Sequence, residues 1–356
     1  MEPHELVAAL GTILERSPIF PGEALRVDLI ANPRAGGFTR RAYSKLRHVE
    51  LLALEAEAAA LSPRSAPAEI RLHLTERPGH AADIARGVFA EASGEKAGPR
   101  RIVMTAGGDG TALETASEIV QLGESERGRF PLLRLPMGTG NDGSDGRDLR
   151  SCLERLLTGA VPRPRRALRI RPNPEGGKRP LYSFNIAGIG LDAFVCRMTN
   201  RLKAFLPGDS YKLWVDLASV FYDRVWPTSP FRVRAFDAAG APVKSLDSEL
   251  LILAMGTSGR RQYGANKPIL PDDDNVCAIF QMPLLKKLAF KDTLASGGHR
   301  GLGTDIVQLF SAARIEVGYG RGILMQRDGE VDELGSGDFP LVMELTEPCY
   351  QVLEPA

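Results

Sequence analysis

Along the first 160 positions the apolar residues fall into two textures. Short unbroken runs at 25–32, 101–106 and 131–135 predict strands, as does an alternating run at 69–76 that sets Ile70, Leu72 and Leu74 on one face. Between and around them apolar residues return every third or fourth position. That spacing predicts helices near 4–16, 39–60 and 81–90, after residue 111 through Leu113, Ala116, Ile119 and Val120, and over 147–157. Strand, polar turn and helix thus repeat four times, the order of a parallel sheet with helices on both faces. In such sheets ligands bind beyond the carboxyl ends of the strands, where all four polar turns fall.

The texture changes near residue 160. Residues 161–172 are rich in Arg and Pro and alternate. Short apolar runs follow at 182–190, 231–236, 250–255, 276–282, 314–317, 322–326, 341–345 and 350–353, with helical stretches at 191–202 and 211–225. Many short strands with turn signals predict a mainly β second domain, a sandwich. A chain of 356 residues has room for about two domains. The expected division is an α/β domain over 24–160, a mainly β domain over 161–340 and a C-terminal segment, 341–356, that could pack back on the first domain.

Composition alters this picture little. The formal charge of +1 offers no bulk attraction to nucleic acid, so no nucleic-acid partner is expected. Cys152, Cys196, Cys277 and Cys349 are scattered, form no metal-type pair and suggest a reducing compartment. Glu2 and Glu5 stand where a secretory signal would carry basic residues, and no apolar run spans a bilayer. A cytoplasmic location is expected, open to peripheral contact with the inner membrane face.

The chemistry concentrates in the turn after the third strand, Gly107-Gly108-Asp109-Gly110-Thr111. Glycines allow positive φ and close approach to a ligand. The helix that follows offers unpaired N–H groups and a positive dipole end. Together they make a cradle for phosphate. Asp109 within it would repel phosphate unless a cation sits between them, which points to nucleotide phosphates with Mg²⁺. Alone, such a turn is equally a plain strand-to-helix connection. A second glycine turn at 136–143 adds weight to the functional reading.

The motifs together carry a resemblance. Asn32-Pro33-Arg34-Ala35-Gly36, TERPGHA at 75–81, GGDGT at 107–111, PMGTGND at 136–142, SFNIAGIGLDA at 183–193 and DGE at 328–330 occur in that order. The chain resembles the diacylglycerol kinase catalytic-domain family, whose relatives include bacterial soluble lipid kinases and sphingosine kinases, from about Val27 to Glu330. The resemblance implies a Rossmann-like nucleotide domain, a β-sandwich domain and an active site in the cleft between them. It implies ATP as co-substrate, Mg²⁺ as cofactor and a lipid-like acceptor, either diacylglycerol, a related glycerolipid or a sphingoid base.

Carried over position by position, the nucleotide site comprises Asn32, Gly36, Thr75, Gly107, Gly108, Asp109, Gly110, Thr111, Glu114, Gly138, Thr139 and Asn141. Thr139 would touch the nucleoside. Asp328, with Glu330 beside it, matches the proposed general base, leaving Asp109 to organise metal and phosphate. Phosphoryl transfer needs positioning and charge neutralisation more than covalent chemistry, so either aspartate could accept the hydroxyl proton. Asp328-Gly329 also reads as an ordinary hairpin turn. Asp272 and Asp274 could bind a cation, though the stretch after Ile269-Leu270-Pro271 is shorter than the family's and lacks its glycine.

For peripheral contact, residues 282–291 mix apolar and basic side chains and fit either an interface or a core-packed helix. The arginines at 163, 165, 166, 169 and 171 fit anionic head groups or a plain solvated face. A homodimer is also allowed for. The nearest rival activity is an NAD kinase-like phosphotransferase, which shares GGDGT; a rival of another class is a non-catalytic nucleotide or lipid sensor.

Overall fold

A computed structural model describes residues 1–94, 98–138, 141, 145–146, 148–202, 222–226, 229–263 and 267–356. By internal contacts the chain divides into two units, Met1–Arg166 with Pro348–Ala356, and Ala167–Glu347. The boundaries lie at 166/167 and 347/348, and not near 160 and 340. Residues 160–165 still pair within the first sheet, and residues 341–345 pair within the second.

The first unit is built on a six-stranded sheet. Its strands are β1 (Leu25–Ala31), β2 (Ala68–Leu74), β3 (Arg100–Gly107), β4 (Leu132–Pro136), β5 (Ala160–Arg165) and the chain's last strand, β19 (Tyr350–Pro355). The order is β2-β1-β3-β4-β19-β5; the first four strands are parallel, and β19 lies parallel to β4 and antiparallel to β5. The unbroken apolar runs of β1, β3 and β4 become buried strands, as expected for a parallel sheet covered on both faces.

The helices of this unit are α1 (Pro3–Leu14), α2 (Arg41–Ala59), α3 (His80–Ser93), α4 (Asp109–Gln121) and α5 (Leu149–Thr158). Leu6, Leu10, Ile13 and Leu14 of α1 are fully buried in the same core as β1 and β3, so the domain begins well before residue 24. Thr39 does not cap α2; its hydroxyl donates to the Ala35 carbonyl within the single turn Gly36–Thr39. Asp148 caps α5, and the Ser151 N–H holds its carboxyl below the usual carboxylate range. A charged pair is buried inside the sheet. Asp28 of β1 is buried between His73 Nε2, at 3.0 Å, and the buried Arg101, at 3.4 Å.

The second unit is mainly antiparallel. Its strands are β6 (Leu168–Pro172), β7 (Leu181–Ser183), β8 (Ile186–Gly190), β9 (Pro230–Phe236), β10 (Pro242–Gly256), β11 (Arg261–Tyr263), β12 (Lys267–Leu270), β13 (Val276–Phe280), β14 (Val307–Phe310), β15 (Arg314–Gly318), β16 (Ile323–Arg327), β17 (Glu330–Leu334) and β18 (Leu341–Leu345). The main path runs β17-β16-β8-β10-β9-β15-β18-β6-β7. The long β10 is shared: 242–249 pair with β9, and 250–256 pair with β8 and β13. Ile189, Val233, Met255, Ile315, Met325 and Met343, from both halves of that path, pack into one core. Among the described residues α6 (Leu191–Leu202) and α7 (Leu284–Ala295) accompany it. Of the helix expected over 211–225, only 222–225 lie among the described residues, and they are helical.

Candidate active site

The parallel register of β1, β2, β3 and β4 brings their four following turns to one rim of the first sheet. The backbone ties the turns together. Asn32 N–H donates to the Ala106 carbonyl at 2.9 Å, Thr75 N–H to Ala31 at 2.9 Å, Met137 N–H to Gly107 at 3.1 Å, and Gly37 N–H to Met137 at 2.8 Å. Asn32 Oδ1 accepts from Arg34 N–H at 2.9 Å, which folds the turn that leads to Gly36.

Glycine is required at the centre. A Cβ on Gly107 would lie 2.4 Å from Thr111 Oγ1, and one on Gly108 would lie 3.6 Å from the Cα of Gly138. The two glycine turns therefore meet backbone to backbone, with the Thr111 hydroxyl filling the space a side chain would need. A Cβ on Gly37 would likewise meet Met137, whose methyl carbon stands 2.8 Å away. Gly108 is the N-cap of α4 and supplies no side chain to its first N–H groups; Asp109 and Gly110 open the helix, half-buried. The glycine backbone thus leads into a helix N-terminus with no side-chain cap, which suits an anion. Asp109 is the acidic residue of that first turn.

Other expected residues take different parts. Both oxygens of Glu114 are engaged by backbone: Oε1 accepts from Gly79 N–H at 2.8 Å and Oε2 from Ala81 N–H at 3.1 Å. Glu114 thus caps α3 from a neighbouring helix and fixes the 75–81 turn, where Gly79 adopts a left-handed φ of 79°. Thr75 does not cap α3; its half-buried side chain stays at the end of β2. Asn141 closes its own turn, Oδ1 accepting from Gly138 N–H at 2.8 Å and Nδ2 donating to the Gly138 carbonyl at 3.0 Å. Thr139 lies outside the described residues.

Sequence reasoning missed what holds this last turn. Asp145 receives Arg134 N–H at 2.6 Å and the Arg134 guanidinium at 2.6 and 3.1 Å, while Arg155 donates to the Asp145 carbonyl at 2.6 Å and to Leu353 at 2.7 Å. The one available signal was an arginine inside the apolar run of β4. Burial, with Asp145 nearby, pushes the Cys152 thiol beneath this turn up to about 12.

In the second unit, Asp328 and Gly329 form the β16–β17 hairpin turn, both at positive φ, 49° and 85°. The Asp328 carboxylate is 6% exposed. Its Oδ1 accepts from Ser183 Oγ at 2.6 Å, Asn185 N–H at 2.9 Å and Ile186 N–H at 3.1 Å, and its Oδ2 from Phe184 N–H at 2.7 Å. The carboxylate thus holds the β7–β8 junction, and four donors already occupy most of its lone pairs. Glu330 is exposed at the start of β17, in the pair facing Arg327.

Asp272 and Asp274, the expected cation ligands, make contacts within the protein. Asp272 Oδ1 accepts from Asp274 N–H at 3.1 Å and Oδ2 lies 3.6 Å from Arg300, while Asp274 accepts from Ser311 at 2.7 Å. No group of three His, Cys, Asp or Glu able to hold a metal occurs among the described residues. A Cβ on Gly259 would lie 2.3 Å from the Asp273 backbone, so the 256–261 turn and the 272–273 stretch meet closely. The arginine run is largely paired, Arg165 with Glu354 and both Arg169 and Arg171 with Glu344. No helix among the described residues is long and apolar enough to cross a membrane.

The model of the diacylglycerol kinase catalytic domain matches residues 26–161, the stretch that holds the four turns. The fold is similar to that of a diacylglycerol kinase from Bacillus anthracis str. Sterne, with 16% identity and a TM-score of 0.57 over 92% of this chain and 96% of that one. Two candidate diacylglycerol kinases of the same organism match over the same shares, at 17% and 18% identity with TM-scores of 0.59 and 0.58. At such identities the likeness is one of fold. No curated protein matches the chain.

Proposed function

With residues 26–161 matching the model of the diacylglycerol kinase catalytic domain, we propose that the protein transfers the γ-phosphate of ATP, with Mg²⁺, to a hydroxyl of a lipid acceptor. The observation that carries this reading is the glycine cradle. Thr111 packs against Gly107 where a Cβ would clash, and the α4 N-terminus has no side-chain cap and carries Asp109 in its first turn. Diacylglycerol or a related glycerolipid is the first acceptor to test, and a sphingoid base the second.

The backbone N–H groups at the start of α4 and the Thr111 hydroxyl bind phosphate oxygens. Mg²⁺ favours substrate phosphates and water over an all-protein cage, so a single carboxylate at the cradle suits it, and when bound it neutralises phosphate charge. The acceptor oxygen bonds to the γ-phosphorus as the bond to the bridging oxygen of ADP breaks. The hydroxyl proton passes to a carboxylate, which the loose transition state requires only late. Asp109 takes that role here, in place of Asp328, whose oxygens are committed to the 183–186 turn. Asp328 is a positioning residue.

The test is transfer from labelled ATP to a lipid panel in mixed micelles, with NAD as a control acceptor. Asp109→Asn should lower turnover about 10²-fold or more with an unchanged melting temperature. Asp328→Asn should lower stability and turnover together. Loss of turnover in Asp328→Asn at unchanged stability would return the proton to Asp328. Labelled NADP would replace the lipid kinase with an NAD kinase, and ATP binding without transfer to any acceptor would make the protein a sensor.

A further inference from the structure

The turn that joins β2 to α3, residues 75–79, is fastened at both ends. At its start the Thr75 N–H donates to the Ala31 carbonyl of β1 at 2.9 Å. At its finish Glu114 takes the N–H groups of Gly79 and Ala81, on either side of His80. Glu114 fixes where α3 begins and does not reach the Thr75 end of the turn.

His80 joins the two ends. The parallel ladder with β1 stops at Ala31 and Leu74. Just past it the Glu76 N–H donates to His80 Nδ1 at 3.1 Å, four residues on. His80 is the first residue of α3, and Gly79, at its left-handed φ, turns the chain into the helix. Side chains at a helix start lean back towards its N-terminus, which brings the half-buried imidazole to the turn. A ring nitrogen that accepts an N–H carries no proton, so the ring held in this way is neutral with its proton on Nε2.

The consequence falls on Thr75. Its own N–H is held by Ala31 and the next N–H by His80, so the peptide groups on both sides of its Cα are oriented, and the direction of its side chain with them. Among the described residues its half-buried hydroxyl makes no hydrogen bond. It stands at the end of β2, on the same rim as the glycine cradle.

We propose that His80 is a positioning residue for the nucleotide: its Nδ1, by holding the Glu76 N–H, sets the Thr75 hydroxyl to hydrogen-bond ATP. The role rests on the nucleotide-binding reading given above; the tether between His80 and Glu76 does not. The tether acts on binding and not on the phosphoryl step.

Three variants separate the two ring nitrogens. Asparagine sets a carbonyl oxygen near the place of Nδ1, glutamine sets its amide near the place of Nε2, and alanine removes both. ATP with Mg²⁺ is titrated into wild type and each variant by calorimetry, beside thermal melts and exchange of the Glu76 amide by NMR. His80→Asn should bind ATP as wild type does and keep the Glu76 amide protected. His80→Gln and His80→Ala should release that amide and weaken ATP about threefold to tenfold, the value of one hydrogen bond. Their kcat, with the acceptor found in the micelle panel, should be unchanged while KM for ATP rises. Thr75→Val should weaken ATP by a similar factor, and Thr75→Val/His80→Ala by no more than Thr75→Val alone, because both act through one contact. A lower melting temperature in His80→Ala at unchanged ATP affinity would make His80 structural and overturn the proposal, as would additive losses in the double variant. Affinity lost in His80→Asn and kept in His80→Gln would overturn it too, by making Nε2–H a direct donor to the nucleotide. A protected Glu76 amide in a wild type that binds no ATP would remove the nucleotide reading, and with it the role of His80, and leave the tether standing.

Discussion

Three titratable side chains show how little a residue's identity says about its task. Glu114 follows the glycine turn by three positions, yet its carboxylate serves two amides on another helix, at Gly79 and Ala81. Those partners lie more than 30 residues away in sequence, so no local pattern announces them. Glu114→Gln should therefore cost about 1–3 kcal/mol in urea denaturation, the range for hydrogen bonds to a charged group, and leave the KM for ATP near wild type. A raised KM at unchanged stability would put Glu114 on the nucleotide. Asp328 is the same lesson in the second unit: the D-G pair was legible as a hairpin turn, but the Ser183–Ile186 donors were not. His299 is buried, and burial pushes its imidazole below its ordinary value, against a smaller opposite pull from the Ile269 carbonyl and Asp272. The unfolded chain then binds the extra proton first. Stability should be full above about pH 6.5, the ordinary histidine value, and fall as pH drops below it. Denaturation midpoints between neutral and mildly acid pH should show that slope, and His299→Gln should flatten it.

At the scale of elements, strand–turn–helix units were readable because each is local. Apolar runs mark β1, β3 and β4, period-3.6 stretches mark the helices after them, and the glycines mark the joins. The reason for each glycine needed coordinates. Gly107→Ala would drive a methyl group to within 2.4 Å of Thr111 Oγ1 and push the start of α4 off its strand. We expect a loss of about 1–3 kcal/mol, as for overpacking in a tight core, and weaker ATP binding by calorimetry. Gly110→Ala, inside the helix, should be mild in stability by comparison. Elements with non-local partners were harder to read. The 15-residue β10 appeared in the sequence only as the run at 250–255, because its first half is paired with β9 and is largely exposed, with Lys244, Ser245 and Asp247 at the surface and only Leu246 buried. A polar half-strand looks like a loop until its partner is known.

Over the whole molecule, the two units differ in how the chain closes them. The second is continuous, Ala167–Glu347, with its own core, whereas the first is completed by Pro348–Ala356. In β19, Tyr350, Val352 and Leu353 are buried, and Arg155 reaches the Leu353 carbonyl. Losing three such side chains would forfeit about 5–9 kcal/mol, at roughly 1.5–3 kcal/mol each, much of a domain's ordinary stability. A fragment ending at residue 166 should therefore be unfolded by near-ultraviolet circular dichroism and recover when a peptide of residues 348–356 is added. The fragment 167–347 should fold alone; a folded 1–166 without the peptide would show β19 to be dispensable. By itself the sequence determined the α/β-then-β order, the four turns and the glycine cradle's place after β3, because strand and helix periods and turn chemistry act over a few residues. Only the tertiary structure decided that the C-terminal segment returns as a strand between β4 and β5, that Glu114 caps a helix and that Asp328 is an anchor. Each of those depends on which distant segments share space, and loop closure joins such segments at an entropic cost that no local pattern records.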